Sequence, residues 1–289
     1  MALPTNRHGW HWPHLLLLAL LWPATALGPS IPDTLRLASW LVFNLVLLGF
    51  VERLVPQRVD WHPTSTELVG DAGLLGLNAL IDAVFKLGMA AIALPLVVVP
   101  PSPLPGWAAF VLGVIAAELG SYLLHRLSHE GGWLWRVHLL HHRPEKLHVA
   151  NALSVHPINA VLDGLARFLP LALLGLDSET LMQVTMFHLT QAVVSHANIR
   201  GHIGPLRWLV GDAERHRLHH SGRRSDAGNF GTDIPLWDLL LGTHRHGPAP
   251  AEVGLFDRRQ DPQPGQWGRL LAFPFLRTGM HRACCGPAR

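Results

Sequence analysis

Five histidines follow an apolar segment whose length approaches that of a membrane span. Residues 107–124 carry a single charged side chain, Glu118. The next eighteen residues read H-R-L-S-H, eight further residues, and H-L-L-H-H. On a helix, side chains at i and i+4, or at i, i+3 and i+4, project from one face about 5–6 Å apart. The pattern therefore predicts a metal site at the membrane–water boundary, with ligands drawn from His125, His129, His138, His141 and His142.

A second cluster far downstream reads H-R-L-H-H and supplies His216, His219 and His220. Two apolar segments, residues 158–176 and 180–194, lie between the clusters. A hairpin of these segments returns the chain to the face that it left, whether the first one spans the membrane or only re-enters it. We therefore predict that both clusters meet on one side of the membrane. His196 ends the returning segment and is a ninth candidate ligand.

The composition indicates an integral membrane protein. Hydrophobic residues make up 49% of the 289 residues, charged residues make up 15%, and there are eleven tryptophans. Several apolar runs approach the roughly 20 residues that cross a bilayer. The net charge of +3 comes mainly from arginines beside the histidine clusters, which is typical of cytoplasmic loops and does not require nucleic acid. We predict several spanning segments, four or more, with the metal site facing the cytoplasm.

The chain divides into three predicted parts. Residues 1–69 hold N-terminal membrane segments, residues 70–245 form a domain that holds the histidine clusters, and residues 246–289 form a membrane-associated tail. Residues 1–28 resemble a secretion signal but are interpreted as a first membrane segment, and their retention is left open. In the tail, residues 266–276 are predicted either as an interfacial helix with Trp267, Phe273 and Phe275 as anchors or as ordinary packing.

The donor set limits the chemistry. Imidazole nitrogens suit zinc, copper, iron and nickel, and eight or nine are too many for one ion. The only cysteines, Cys284 and Cys285, are adjacent and do not suit a zinc site. H-E-x-x-H is absent, since Arg126 stands where a metalloprotease carries its glutamate base. Two redox-active ions favour dioxygen chemistry on a lipid. A metal-dependent hydrolase and a non-catalytic metal-binding transporter are the alternatives.

The order HRLSH, HLLHH, HRLHH within these apolar segments resembles the fatty acid hydroxylase and sterol desaturase superfamily of membrane di-iron enzymes. The resemblance covers about residues 70–245. It is supported by Tyr122, by Trp135-Arg136, and by the runs H-P at 156–157, H-A-N-I-R at 196–200, N-F-G at 229–231, W-D at 237–238 and G-T at 242–243.

The resemblance implies an all-α membrane bundle with a cytosol-facing, histidine-rich di-iron cap. It implies two iron ions, O2 as co-substrate, and a lipid or sterol substrate that is hydroxylated or desaturated. The sequence has no cytochrome, flavin or ferredoxin motif, so a separate electron donor of one of these kinds is expected. Ligand roles carry over onto His125, His129, His138, His141, His142, His216, His219 and His220, and His196 matches a histidine common in the family.

Other polar residues near the clusters receive secondary roles. His156 is expected as a pocket residue or a further ligand. Ala192 stands where some relatives carry histidine, so a different or open coordination of one iron is expected. Glu118 and Asp238 are candidates to orient ligand imidazoles. Glu130 and Glu214 are further candidates to orient ligands, and His188 is expected to pack in the core. Four other histidines are expected at the surface or behind the ligands: His148, His202, His244 and His246. A polar stripe on one helix is formed by Asn78, Asp82 and Lys86.

Overall fold

All regular structure in the described part of the chain is helical. The computed structural model describes residues 9–26, 31–93, 100–255 and 267–276, with only the backbone described for residues 86–93 and Arg224. Three isolated β-bridges occur in these residues, and none belongs to a strand. The prediction of an all-α fold is confirmed. The helices are α1 Trp12–Ala26, α2 Asp33–Leu54, α3 Ser65–Ala93, α4 Gly106–Ser128, α5 Gly132–His142, α6 Pro157–Ala172, α7 Ser178–His196, α8 Ala213–His219, α9 Leu236–Leu240 and α10 Trp267–Ala272.

Three of the described helices are long and apolar enough to cross a membrane. They comprise 22 residues of α2, 21 residues of α3 and 23 residues of α4. At 1.5 Å per residue these lengths are about 32 to 35 Å, which matches a hydrocarbon core of about 30 Å. The chain is therefore a membrane protein. With 15 residues, α1 is apolar but shorter than a perpendicular span requires. The prediction of four or more spans stays a prediction.

Local chemistry sets the helix boundaries around the site. Asp177 begins α7, because its carboxylate accepts a hydrogen bond from the Thr180 backbone N–H at 2.7 Å. The central helix α4 packs against both α6 and α7. Its contact with α6 requires Gly120, since any Cβ there would overlap the Ala166 carbonyl. This arrangement ends α4 and α7 at the same side of the bundle, where their histidines meet.

The N-terminal segment is integrated into the core. Leu17 and Leu21 of α1 are buried and pack with residues of α2 and α7. His14 contacts Gln191 of α7, with 2.8 Å between Nε2 and Oε1. Just before α1, the His11 backbone N–H donates to the His202 carbonyl at 2.8 Å. In this structure, residues 9–26 form part of the folded domain.

The C-terminal helix α10 packs over α3 and α5. Leu270 and Phe273 are buried, whereas Phe275 is largely exposed. The predicted interfacial helix is therefore partly ordinary packing, and Trp267 lies against Gly70 of α3. In the polar stripe, Asn78 donates to the Val155 carbonyl at 3.0 Å. The Lys86 side chain, Gln266, Cys284 and Cys285 lie outside the described residues.

Candidate metal centre

All nine candidate ligands converge at one end of the bundle, where they form two groups. Within each group, one ring nitrogen from every member lies within 4.8 Å of the others. Eight of the rings are buried, and His125 is half-buried with a buried Nε2. The five-histidine group contains His125, His129, His138, His142 and His219. The four-histidine group contains His141, His196, His216 and His220.

The two groups share the short helices α5 and α8. In α5, the adjacent His141 and His142 point to different groups, because neighbouring helix positions face different directions. In α8, His219 joins the five-histidine group, while His216 and His220, the residue that follows α8, join the other. Asp212 fixes the start of α8 by accepting from the Arg215 backbone N–H at 2.8 Å. The rings of His142 and His220 stack at 4.2 Å between centroids, so the two groups are in contact.

Four imidazoles are oriented by hydrogen bonds from Nδ1. His125 Nδ1 donates to the Phe230 carbonyl at 2.7 Å, and His219 Nδ1 donates to the Gly228 carbonyl at 2.8 Å. A carbonyl only accepts, so Nδ1 carries the proton and Nε2 keeps its lone pair. Asn159 Oδ1 accepts from His138 at 3.1 Å, and Asn151 Oδ1 accepts from His196 at 2.9 Å. This is the outer support that metal-binding imidazoles usually have.

The remaining ring nitrogens fit a metal. Nε2 of His125, His138 and His196 is buried with no hydrogen-bond partner, which is costly unless a cation binds the lone pair. The two closest pairs are His142 Nε2 to His219 Nε2 at 3.1 Å and His216 Nε2 to His220 Nε2 at 3.0 Å. Nitrogens bound at about 2.1 Å and 90° apart are about 3 Å from each other. Both groups therefore meet the requirements of a nitrogen-ligated ion.

Burial keeps these imidazoles in the form that binds metal. Burial, and then the neighbouring histidines, lower the pKa of His142 and His220 well below the ordinary value. The pKa of His141 is lowered to about 3 by the same two causes in the same order. Neutral imidazole is the ligating form, so the rings need not lose protons at neutral pH to bind an ion.

Neither of the two carboxylates predicted to orient ligand imidazoles has a described hydrogen bond to one, and only Asp238 supports a ligand through a neighbouring residue. Asp238 accepts from the backbone N–H groups of Phe230 and Gly231 at 2.9 and 2.7 Å, and so holds the loop whose carbonyl holds His125. Glu118 accepts from Arg167 at 3.1 Å and from the Asp233 backbone N–H at 2.9 Å. The hydrogen bonds described for Glu118 include none to a ligand candidate.

Among the other predicted residues, His156 does not join either group. Its Nδ1 accepts from the Ile158 backbone N–H at 3.1 Å, and its Nε2 donates to the Leu271 carbonyl at 3.0 Å. It therefore caps α6 and ties it to α10. Ala192 contributes no ring nitrogen, and the group containing His196 has one histidine fewer than the other.

The expected surface histidines differ in position. His148 is buried, with Nε2 4.0 Å from Asp71 Oδ2, so a surface location is wrong for it. His188 lies 3.0 Å from the Asp233 carboxylate. His244 and His246 contact each other at 2.8 Å between Nε2 atoms, away from both groups. Glu214 pairs with Arg207 at 3.2 Å, Glu130 is exposed, and His202 contacts Trp10.

Sequence reasoning missed the two asparagines. Asn151 and Asn159 each accept from a ligand candidate, yet neither belongs to a histidine cluster. Asn159 lies three residues after His156, within reach of the H-P motif that the resemblance singled out. The N-F-G motif was noted, and its role is now visible, because the Phe230 carbonyl orients His125.

Comparison with known proteins identifies the family. The fatty acid hydroxylase profile matches residues 110–243. An ornithine lipid hydroxylase of Rhizobium tropici is 30% identical over 284 residues, which cover 90% of this chain and 85% of the relative. The chain belongs to the fatty acid hydroxylase family. The resemblance inferred from the three histidine motifs is thereby confirmed.

Other relatives match the chain over shorter lengths. An alkylglycerol monooxygenase of Xenopus tropicalis is 29% identical over 144 residues, covering 49% of this chain but only 31% of the relative. A very-long-chain aldehyde decarbonylase of Oryza sativa subsp. japonica is 24% identical over 202 residues, covering 65% of this chain and 78% of the relative. No solved structure matches the chain. This family member is an oxidoreductase, which argues against the hydrolase and transporter alternatives.

Proposed function

We propose that this chain is a di-iron membrane monooxygenase that hydroxylates an aliphatic carbon of a lipid. The two buried histidine groups carry the proposal, because each presents unpartnered nitrogens to a common point. Nitrogen ligands suit iron, and two adjacent ions match two groups in ring contact. Iron bound there would supply the reductive activation of O2 that an unactivated C–H bond needs.

The names of the relatives favour a lipid with a polar headgroup as substrate. One relative is an ornithine lipid hydroxylase and others are alkylglycerol monooxygenases. We infer an acyl or alkyl lipid in preference to a sterol. In a hydroxylation, one oxygen atom of O2 enters the C–H bond and the other leaves as water. The reaction also consumes an electron pair and two protons. We propose that a separate cytochrome, ferredoxin or flavin reductase on the cytoplasmic side supplies the electrons.

In this reaction the protein orients the ligand imidazoles and shields them from bulk water. Two backbone carbonyls each accept a hydrogen bond from a ligand ring: that of Gly228 from His219 and that of Phe230 from His125. Two asparagine side chains do the same: Asn151 accepts from His196, and Asn159 accepts from His138. Trp135 is buried and lies 5.4 Å from the His129 ring and 5.7 Å from the His142 ring. Such packing limits access of bulk water to the five-histidine group.

The test is a reconstituted assay with purified protein. We expect two iron ions per chain, and oxygen consumption that depends on both a reductant and a lipid. With isotopically labelled O2, the product should carry one labelled oxygen atom. A desaturated product without labelled oxygen would show that the enzyme is a desaturase and not a hydroxylase. A product labelled only from labelled water would support the hydrolase instead, and one ion per chain would contradict the dinuclear assignment.

A further inference from the structure

The short helix α9 lies beside the middle of a membrane-spanning helix. Trp237 Nε1–H donates to the Ile115 carbonyl at 3.1 Å. Ile115 is ten residues before His125 on α4, which places it about 15 Å below the level of the first ligand. Since α4 is 23 residues long, Ile115 is well inside the hydrocarbon layer. The indole nitrogen of Trp237 therefore lies at that depth as well.

Both ends of the segment that carries α9 return to the histidine side. The Asn229 backbone N–H donates to the Thr243 carbonyl at 3.0 Å, which closes the segment at its base. Thr243 Oγ1 lies 2.8 Å from the hydroxyl of Tyr122, one turn before His125 on α4. Residues 229–243 thus leave the level of the site, reach Ile115 and come back. We call them the re-entrant segment.

On the inner side of the re-entrant segment, side chains of the protein form hydrogen bonds with backbone groups that would otherwise lack partners away from water. Asp238 accepts from two backbone N–H groups, and Glu118 accepts from the Asp233 backbone N–H. Gln191 Nε2 donates to the Asp233 carbonyl at 3.1 Å. The Asp233 carboxylate is itself paired with Arg167 at 2.7 Å. Irregular backbone at membrane depth is tolerated only with such internal partners.

The outer side of the re-entrant segment is apolar and uncovered. Leu239, Leu240 and Leu241 are 41%, 65% and 46% exposed. Val111 and Leu112 precede Ile115 by four and three residues on α4 and are also exposed, so α4 presents an apolar surface near the level that Trp237 reaches. Three adjacent leucines facing water would be costly, whereas acyl chains accommodate them.

We propose that the re-entrant segment inserts into the hydrocarbon layer from the side of the histidine groups, with Leu239, Leu240 and Leu241 in contact with lipid acyl chains. The buried polar cluster of Glu118, Arg167 and Asp233 holds its inner side. The segment also carries the Phe230 carbonyl that orients His125. It therefore connects the bilayer directly to a ligand of the five-histidine group.

Nitroxide accessibility in liposomes tests this proposal. In a Cys284→Ser, Cys285→Ser background, Leu240→Cys would be labelled and its collision rates with O2 and with a water-soluble nickel chelate compared. Leu112→Cys on α4 is the lipid-facing control, and the exposed Ser225→Cys is the aqueous control. If Leu240→Cys does not fold, Leu239→Cys and Leu241→Cys provide the same measurement.

We expect the label at position 240 to match the Leu112 control, with high O2 and low nickel accessibility. Accessibility matching the Ser225 control would overturn the proposal, because the leucines would then face water. Strong dipolar broadening between labels would also overturn it, since a second copy of the chain would then cover the surface instead of lipid.

Discussion

The two histidine groups differ in number of nitrogens and in how firmly those nitrogens are held. Three rings of the five-histidine group, His125, His138 and His219, are fixed through Nδ1. In the four-histidine group, the described Nδ1 bond to an outer residue is that of His196 to Asn151. The first group offers five ring nitrogens to an ion, and the second offers four. If each group holds one ion, we expect the five-histidine group to retain its ion more firmly than the four-histidine group.

The largest expected effect is the loss of a ligand. His219→Ala in the five-histidine group and His216→Ala in the four-histidine group should each abolish turnover, because the reaction needs both ions. The double variant should be no worse than either single variant, since residues acting as a unit are not additive. Product formation in membranes, normalised to folded protein by size exclusion, measures this.

Metal content should separate the two ligand variants even though both are inactive. His216→Ala should lose one ion, whereas His219→Ala should lose the other and weaken its neighbour through the stacked His142 and His220. Substantial turnover by a folded form of either variant would contradict the dinuclear site.

A smaller effect is expected from the asparagines behind the ligands. Asn159→Ala and Asn151→Ala should each cost about 10- to 100-fold in metal affinity or activity, which is typical of outer partners of metal-bound imidazoles. We expect Asn151→Ala to cost more, because the four-histidine group has fewer supports. The rate at which a chelator removes metal from each variant measures the effect. Asn78→Ala is the control, because Asn78 donates to the Val155 carbonyl and contacts no ligand candidate through that bond. Equal release rates would remove the proposed difference between the groups.

The metal-free protein should lose stability as pH falls below about 6.5. The pKa of His141 is about 3 in the folded protein, so the unfolded chain binds more protons in this window and stability rises with pH. Each such histidine contributes about 1.4 kcal/mol per pH unit at most. Thermal unfolding in detergent from pH 5 to pH 8 measures the slope, and bound metal should flatten it. A slope of opposite sign would mean that the rings are charged in the fold.

The smallest effect should come from the histidines outside the groups. His244→Ala removes one member of a surface pair and should leave metal content and turnover near wild type. His148→Ala, by contrast, removes a buried ring and should lower the melting temperature while the protein keeps both ions. Loss of one ion from His148→Ala would place a further ligand beside the four-histidine group.

Much of the site was predictable because helical spacing determines which side chains share a face. The interval of four residues placed His138 with His142 and His216 with His220, and the structure agrees. The interval of three did not hold, because His141 and His219 each join the other group. The assignment of adjacent residues to different groups was not predictable, since it depends on how α5 and α8 are rotated against α4 and α7. Nor were Asn151 and Asn159, because partners from loops and neighbouring helices leave no periodic signal.

The spanning helices α2 and α4 followed from apolar length, but the course of residues 229–243 did not. Their sequence is too short and too polar to indicate membrane depth. That depth follows from the contact of Trp237 with Ile115, which joins residues that are 122 positions apart. Pairings over such distances depend on the whole topology and not on local pattern.

The packing of α1 sets an order of events during synthesis. His14 contacts Gln191, 177 residues later, so α1 is synthesised well before α7, one of the helices that it packs against. At 5–20 residues per second this interval is about 10 to 35 s. Until then His14, in an apolar helix, lacks this partner. We therefore expect the packing of α1 against α7 and the meeting of the two histidine groups to occur late in biogenesis.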